Sequence, residues 1–355
     1  MNFREMITPA AVAAYWNEFA QDRVSYLGRG LFPARKKASL DLSWLKGAKG
    51  LPISLMPSAF DAKATFRDRV GVSKITTEMP FFREGYKIKE RDRQELLRAA
   101  EGNDPYAQEV LGRIFDGTSD LIAAADVVPE RMIMQLLFPV DGQAGITITA
   151  NGVNYTYNYD PDGSWAENNY IALTGNDLWT APATANPFAA IREAQKAVRA
   201  KTGGEVALAI MNSTTFNYMV EMDAVKNRVA MVNGGGAGWL TDGEVINIFR
   251  TTTGLDIAVY DKMYRDEDGV THTFVPDGYV ALVPNGELGS TWYGTTPEEA
   301  DLMGEPEAEV AIVNTGVALT RVVEEHPVNV NLFASEIVLP SFERMDEVAV
   351  LKVIA

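Results

Sequence analysis

The sequence contains no cysteine and only two histidines, His272 and His326, among its 355 residues. The first absence excludes disulfides, thiolate nucleophiles, iron–sulfur clusters and cysteine-held zinc. The second leaves almost nothing for a histidine-rich metal centre. No apolar run approaches the roughly 18–20 residues that a membrane-spanning helix needs. No internal repeat or low-complexity tract is found. The N-terminus carries Glu5 and shows neither a basic segment nor an apolar stretch before a cleavage site, so a soluble protein made in a cytoplasm is expected.

Motifs for chemistry are equally scarce. No Gly-x-Ser-x-Gly elbow occurs, and Ser43-Trp44-Leu45-Lys46 matches Ser-x-x-Lys without any of the motifs that should accompany it. Gly234 to Gly238 lacks the lysine and Ser/Thr of a phosphate loop and reads as a loop tip. Asp266-Glu267-Asp268-Gly269 lacks the twelve-residue spacing and final Glu of a calcium loop and reads as a solvated turn. Either histidine could act as a general base only if carboxylates converged on it. Glu298-Glu299 and Glu324-Glu325 read as solvated faces. No catalytic, cofactor-binding or metal-ligating residue is therefore expected.

What is present is the composition of a folded chain: 46% hydrophobic residues, enough length for two domains, and a net charge of −16. The charge is uneven. Residues 1–100 hold 18 Lys and Arg against 11 Asp and Glu, a balance of +7, whereas residues 101–355 hold 14 against 37, a balance of −23. A basic extension lying on the acidic surface of another copy would explain this, and so would solubility alone. So acidic a body fits poorly with tight DNA binding.

Asp104 to Phe138 organises the rest. Asp104-Pro105 has the form of a helix start, and Tyr106, Val110, Ile114 and Leu111, Phe115, Ile122 repeat at helical spacing. Pro129 should kink this helix or end it after Val128. Ahead of it, residues 5–29 read as a helix with Val12, Tyr15, Trp16 and Phe19 on one face. The stretch from Leu31 to Pro57 is broken by prolines and glycines around Arg35-Lys36-Lys37 and reads as an arm. Lys63 to Lys89 reads as two strands of a hairpin that must lie on something else. After the helix, strands at 146–148 and 153–159 flank Asn151-Gly152, a strong hairpin signal. Residues 187–295 alternate helices and strands as an α/β unit, with Asn186-Pro187 and Asn212-Ser213 as helix starts. Period-two runs then lead to Val353.

This order of parts resembles the Hong Kong 97-type fold of tailed-phage shell proteins. The residues most similar to the major capsid protein family of lambda-like phages lie toward the C-terminus: Ala258-Val259-Tyr260, Phe274-Val275-Pro276-Asp277, Thr291-Trp292-Tyr293-Gly294, and Phe333 to Pro340 through Val348-Ala349-Val350. The resemblance implies an α+β capsid fold. Its parts would be an N-terminal arm (1–57), an extended E-loop hairpin (58–91), a P-domain with spine helix (92–185), an A-domain (186–308) and return strands of the P-domain (309–355). It implies a non-enzymatic structural protein of the virion, forming hexamers and pentamers of an icosahedral head around double-stranded DNA. Partners would be further copies and, potentially, a decoration protein, scaffold and portal; no membrane is involved. An encapsulin-type shell and a soluble hydrolase are the alternatives. The assembly residues expected from the arm and the glycine-rich tip are Arg35, Lys36, Lys37, Gly234, Gly235, Gly236 and Trp239. Residues 1–90 are expected to contribute more to interfaces between subunits than to their own fold.

Overall fold

The computed structural model describes residues 8–19, 26–46, 73–88, 91, 94, 105–150, 152–232, 240–303, 308–324 and 329–355. Thr8 accepts from Ala11 N at 3.1 Å and Pro9 opens α1 (Pro9–Phe19). The helix expected over 5–29 is not continuous in form: α2 (Leu27–Leu31) is a separate five-residue helix containing two glycines, whose weak propensity favours so short an element. Strands β1 (Ala34–Lys36), β2 (Asp41–Lys46), β3 (Ser73–Glu78) and β4 (Phe81–Ile88) follow. Of the hairpin expected over Lys63 to Lys89, residues 63–72 lie outside the described residues; β3 pairs with β2, while β4 joins a distant strand. Pro80, between them, suits a break of this kind, since it withholds a ladder donor.

Helix α3 (Pro105–Leu137) begins at the expected proline and runs 33 residues with Pro129 inside it. It does not end at Val128. A mid-helix proline costs about 3 kcal/mol, but Met132, Ile133, Met134, Leu136 and Leu137 beyond it are all buried, at about 1.5–3 kcal/mol each. Burial wins. Strands β5 (Gly145–Ala150) and β6 (Val153–Asn158) form the expected hairpin, turning through Gly152 at φ +77°. The edge of β5 is held by a side chain: Gln135 accepts from Thr147 N at 3.0 Å and donates to Thr147 O at 3.2 Å.

Next come α4 (Ser164–Asn169), β7 (Tyr170–Ala172) and α5 (Pro187–Thr202), the last capped by Asn186 and closed by Gly203 at φ +70°. Strand β8 (Val206–Met211) leads to α6 (Ser213–Glu221), capped by Asn212, then α7 (Asp223–Val232) and α8 (Asp242–Thr253), which opens with a capping box of Thr241 and Glu244. Strands β9 (Asp256–Val259), β10 (Met263–Arg265), β11 (Thr271–Thr273), β12 (Tyr279–Pro284) and β13 (Ser290–Tyr293) come next. The chain closes with β14 (Ala308–Val313), β15 (Val317–Glu324), β16 (Asn329–Ser341) and β17 (Ala349–Lys352).

Two compact units result. The first comprises residues 1–43, 76–132 and 290–341, and the second residues 44–75, 133–289 and 342–355. In the first unit a sheet runs β1-β13-β16-β15-β14, with β4 also paired to β16. Alternation along the strands puts Ile88, Leu319, Val330 and Leu332 on one face, where they pack with Val12 and Trp16 of α1 and Leu121 and Ile122 of α3. In the second unit the sheet order is β7-β17-β12-β8-β9. Phe188, Ile191, Phe216, Met219 and Phe249 from its helices bury Val280, Leu282 and Leu351. Near by, the Trp165 indole donates to Met345 O at 3.0 Å and Val348 O at 3.2 Å.

Two strands pair across long stretches of sequence. β13, within the span 186–308, joins β16 and β1; β17, within 309–355, joins β12 and β7. Ala349, Val350 and Leu351 are all fully buried, so β17 needs a sheet covered on both faces, and β12 provides it.

Candidate functional site

The charged side chains of the first unit gather where the N-terminal segment meets α3 and the last strands. Asp126 and Glu130, four residues apart on α3, share one helix face. Both carboxylate oxygens of the buried Glu130 accept from Gly28 N, at 2.9 and 3.2 Å, in the first turn of α2. Asp126 pairs with Arg29 at 2.5 Å and accepts from Asn314 Nδ2 at 3.0 Å. Burial works against the Arg29 charge, but the attraction and hydrogen bond of Asp126 more than offset it and hold its pKa above the ordinary arginine value. Beyond α2, the Thr291 hydroxyl donates to Phe32 O, Thr291 N donates to Pro33 O, and Lys37 N donates to Tyr293 O. β1 is thereby fixed in parallel to β13.

A second cluster forms at a π-type turn, Glu298–Leu302. Glu298 is only 5% exposed; it pairs with Arg83 of β4 and accepts from Ser335 Oγ of β16 at 2.9 Å. Its neighbour Glu299 pairs with Lys36 of β1 at 2.5 Å. Glu298-Glu299 is thus not the solvated face expected. Two adjacent carboxylates take cations from two different strands, an arrangement visible only once those strands are placed. Glu324 likewise accepts from Lys87 at 2.9 Å, Asn331 at 2.7 Å and Asn329 at 3.2 Å, and these donors, Lys87 foremost, lower its pKa to about 2.

β4 itself pairs with β16 over eight residues, from Ile88↔Val330 to Phe81↔Ile337. Gly85 lies opposite Phe333, and the ring fills the space a side chain would take: a Cβ on Gly85 would stand 2.6 Å from Phe333 Cδ1. Of the described parts of residues 1–90, those in 8–43 and 76–88 are thus packed against α3 and the last strands of the first unit. Val12 and Trp16 lie on the helix face expected from the sequence, whereas nothing in the sequence showed that they and Ile88 would meet in one core.

The expected assembly residues are placed as follows. The Arg35 guanidinium stands 5.9 Å from the Trp292 ring centre, Lys36 pairs with Glu299, and Lys37 Nζ donates to Asp41 O at 2.7 Å. All three are engaged within their own chain. Gly234, Gly235, Gly236 and Trp239 lie outside the described residues, as does His326. The described residues leading to them end α7 with Met231 and Val232, 81% and 67% exposed. His272 meets one carboxylate, Asp266, at 2.7 Å, and stacks on Tyr264. Asp266 also accepts from Asp268 N and Val270 N, so the pair clasps a hairpin turn; the His272 hydrogen bond, chiefly, holds the Asp266 pKa below its ordinary value.

Chemically, these clusters fasten segments of chain to one another. Among the described residues no group of three or more His, Asp or Glu side chains is placed to hold a metal ion, and no helix is long and apolar enough to cross a membrane.

The chain, with an N-terminal segment and a strand added to a long-helix unit and with a separate α/β unit, has a phage capsid fold of the Hong Kong 97 type. Solved structures share it. A phage-related protein from Bordetella bronchiseptica RB50 matches at TM-score 0.57 and 11% identity, over 98% of this chain and 97% of that one. A putative capsid protein of a prophage of E. coli CFT073 matches at TM-score 0.54 and 16% identity, over 80% of each chain. The capsid of cyanophage A-1(L) matches at TM-score 0.50 and 14% identity, over 91% of each. Comparison with curated proteins finds no match in sequence.

The model of the phage major capsid protein E family matches residues 8–353, and the chain belongs to that family. It is a structural capsid protein, and its place is the capsid of the virion. The family and fold expected from the resemblance are those found.

Proposed function

We propose that the chain assembles with further copies of itself into hexamers and pentamers of an icosahedral head around double-stranded DNA, acting as structure and not as a catalyst. The observation that carries this reading is the membership of nearly the whole chain in a capsid protein family. The charge balance supports it: a segment of +7 and a remainder of −23 favour contacts between copies, and an acidic surface toward packaged DNA would not adhere to it. In this reading α3 is the spine of a P-domain and the helices and strands from Pro187 onward belong to an A-domain. A decoration protein, scaffold and portal are its further partners.

The exposure of Met231 and Val232 supports a reading in which the tip that follows them meets other copies around the capsomer axis. Gly234, Gly235 and Gly236 then allow one sequence to meet itself at both fivefold and sixfold angles, since glycine changes backbone conformation at low steric cost. Electron microscopy of the purified full chain tests the reading. Closed shells with fivefold vertices are expected; a monodisperse monomer under all conditions would overturn it. Gly234, Gly235 and Gly236 replaced together by alanine should yield tubes or open sheets, and closed shells with normal pentamers would remove the tip from the account.

A further inference from the structure

Both carboxyl oxygens of Glu336 are buried and neither meets a hydrogen-bond partner. The residue lies on β16 opposite Phe82, on the strand face that also carries Leu332 and Ala334 toward α3. A charged group so placed would be costly, and its neighbours do not relieve it. Asp126 of α3 approaches it with a like charge, and Arg29 of α2, the cation within reach, is already paired with Asp126 at 2.5 Å. Glu130, one turn along α3, is a further carboxylate, taken up by Gly28 N. From β13 the buried Tyr293 hydroxyl faces the same cluster, and its own pKa is pushed up by burial and then by Glu336 and Asp126. On β4, Glu84 is exposed on the same face as Phe82, and Arg83 points to Glu298 on the other. Asp126 and Glu336 thus share one guanidinium, that of Arg29.

We propose that Glu336 is a proton-binding site of the first unit, neutral when the subunit is folded at neutral pH. Losing its proton to solvent would place a second negative charge beside Asp126 and loosen the seat of α2 and β13 on α3 and β16. Burial, and after it Asp126, hold the Glu336 pKa well above the ordinary carboxylate value, against a smaller opposing pull from Arg29. The sign follows from proton linkage. With a folded-state pKa above the unfolded one, the folded chain binds more protons between the two values. The stabilisation is therefore complete below the unfolded pKa of about 4.5 and is lost as pH rises toward the folded one. The N-terminal segment and the strands it rests on are then held more firmly in acid than in alkali. That gives the capsid subunit a built-in response to pH.

The test compares the full chain with Glu336→Gln before assembly. In the infrared, the C=O stretch of a protonated carboxylic acid should be present at neutral pH in the parent and absent from the variant. The Tm difference in favour of the variant should be near zero at about pH 4.5 and grow by about 2–4 °C per pH unit above it. Asp126→Asn serves as the second variant: Arg29 then has Glu336 left to pair with, so the acid band should disappear at neutral pH although Glu336 is intact. A band untouched by Glu336→Gln, or a Tm difference that does not change with pH, would overturn the proposal.

Discussion

Replacing Gly85 with alanine sets two opposed effects against each other. Glycine in a strand interior is destabilising by about 0.5–1 kcal/mol relative to alanine, so in open space the substitution would help. The space is not open. The new Cβ would stand 2.6 and 2.8 Å from two atoms of the Phe333 ring, which lies across the strand pair on the half-buried face. Forcing a side chain out of its rotamer or shifting the backbone to accommodate an extra carbon costs about 1–3 kcal/mol. Overpacking should win, with a net loss of about 1–2 kcal/mol. Urea unfolding of the single and double variants separates the terms. In a Phe333→Ala background the obstacle is gone, and Gly85→Ala should turn neutral or stabilising by about 0.5 kcal/mol. The coupling between the two sites is thus expected to be 1 kcal/mol or more in size. Because β4 is attached to its unit through this pairing, Gly85→Ala should also lower the yield of closed shells in electron micrographs, with Phe333→Ala restoring part of it. If Gly85→Ala stabilises the parent chain, or if the two substitutions simply add, the reasoning is wrong.

Glu298→Ala leaves the buried Ser335 hydroxyl without its acceptor, about 1–3 kcal/mol, whereas Arg83, 46% exposed, is re-solvated and adds at most about 1 kcal/mol; chemical denaturation should show a loss of roughly 2–3 kcal/mol. Gly243 of α8 has open space around it and no positive φ, so Gly243→Ala should stabilise by about 0.5 kcal/mol, while Thr241→Ala, which removes the capping box beside it, should cost about 1 kcal/mol in the same assay. Glu324 has a folded pKa of about 2 against 4.5 unfolded, so its contribution is present above pH 4.5 and lost as pH falls through 2. Acid titration of Glu324→Gln should therefore show a shallower loss of stability across that window, and an unchanged acid limb would count against the assigned partners.

Local structure was legible wherever a single residue type enforces it. Pro105, Asn186 and Asn212 marked helix starts and Gly152 a hairpin turn, and each acts through backbone chemistry that needs no distant partner. Pairing was less legible. The alternation of residues 81–88 showed a strand but not that its partner would be Val330 to Ile337, about 250 positions on, and Pro129 suggested a break that burial further along the helix overrides. The site was the least legible part. Glu298, Glu130 and Asp126 carry no motif, and they become a fastening only when strands and helices from four regions converge. Arg35, Lys36 and Lys37 were noticed for their charge, but the sequence could not show that their own chain holds partners for them.

The Gln135 amide, which gives and takes one hydrogen bond each at Thr147, matters beyond the single molecule. An open strand edge is a template for any other strand that arrives in register, and subunits crowded onto a growing shell meet constantly. By presenting a donor and an acceptor in the places a neighbouring strand would use, Gln135 closes that template from within. The expected consequence is for the fidelity of growth: Gln135→Ala should raise off-pathway light scattering during assembly and leave the Tm of the subunit unchanged.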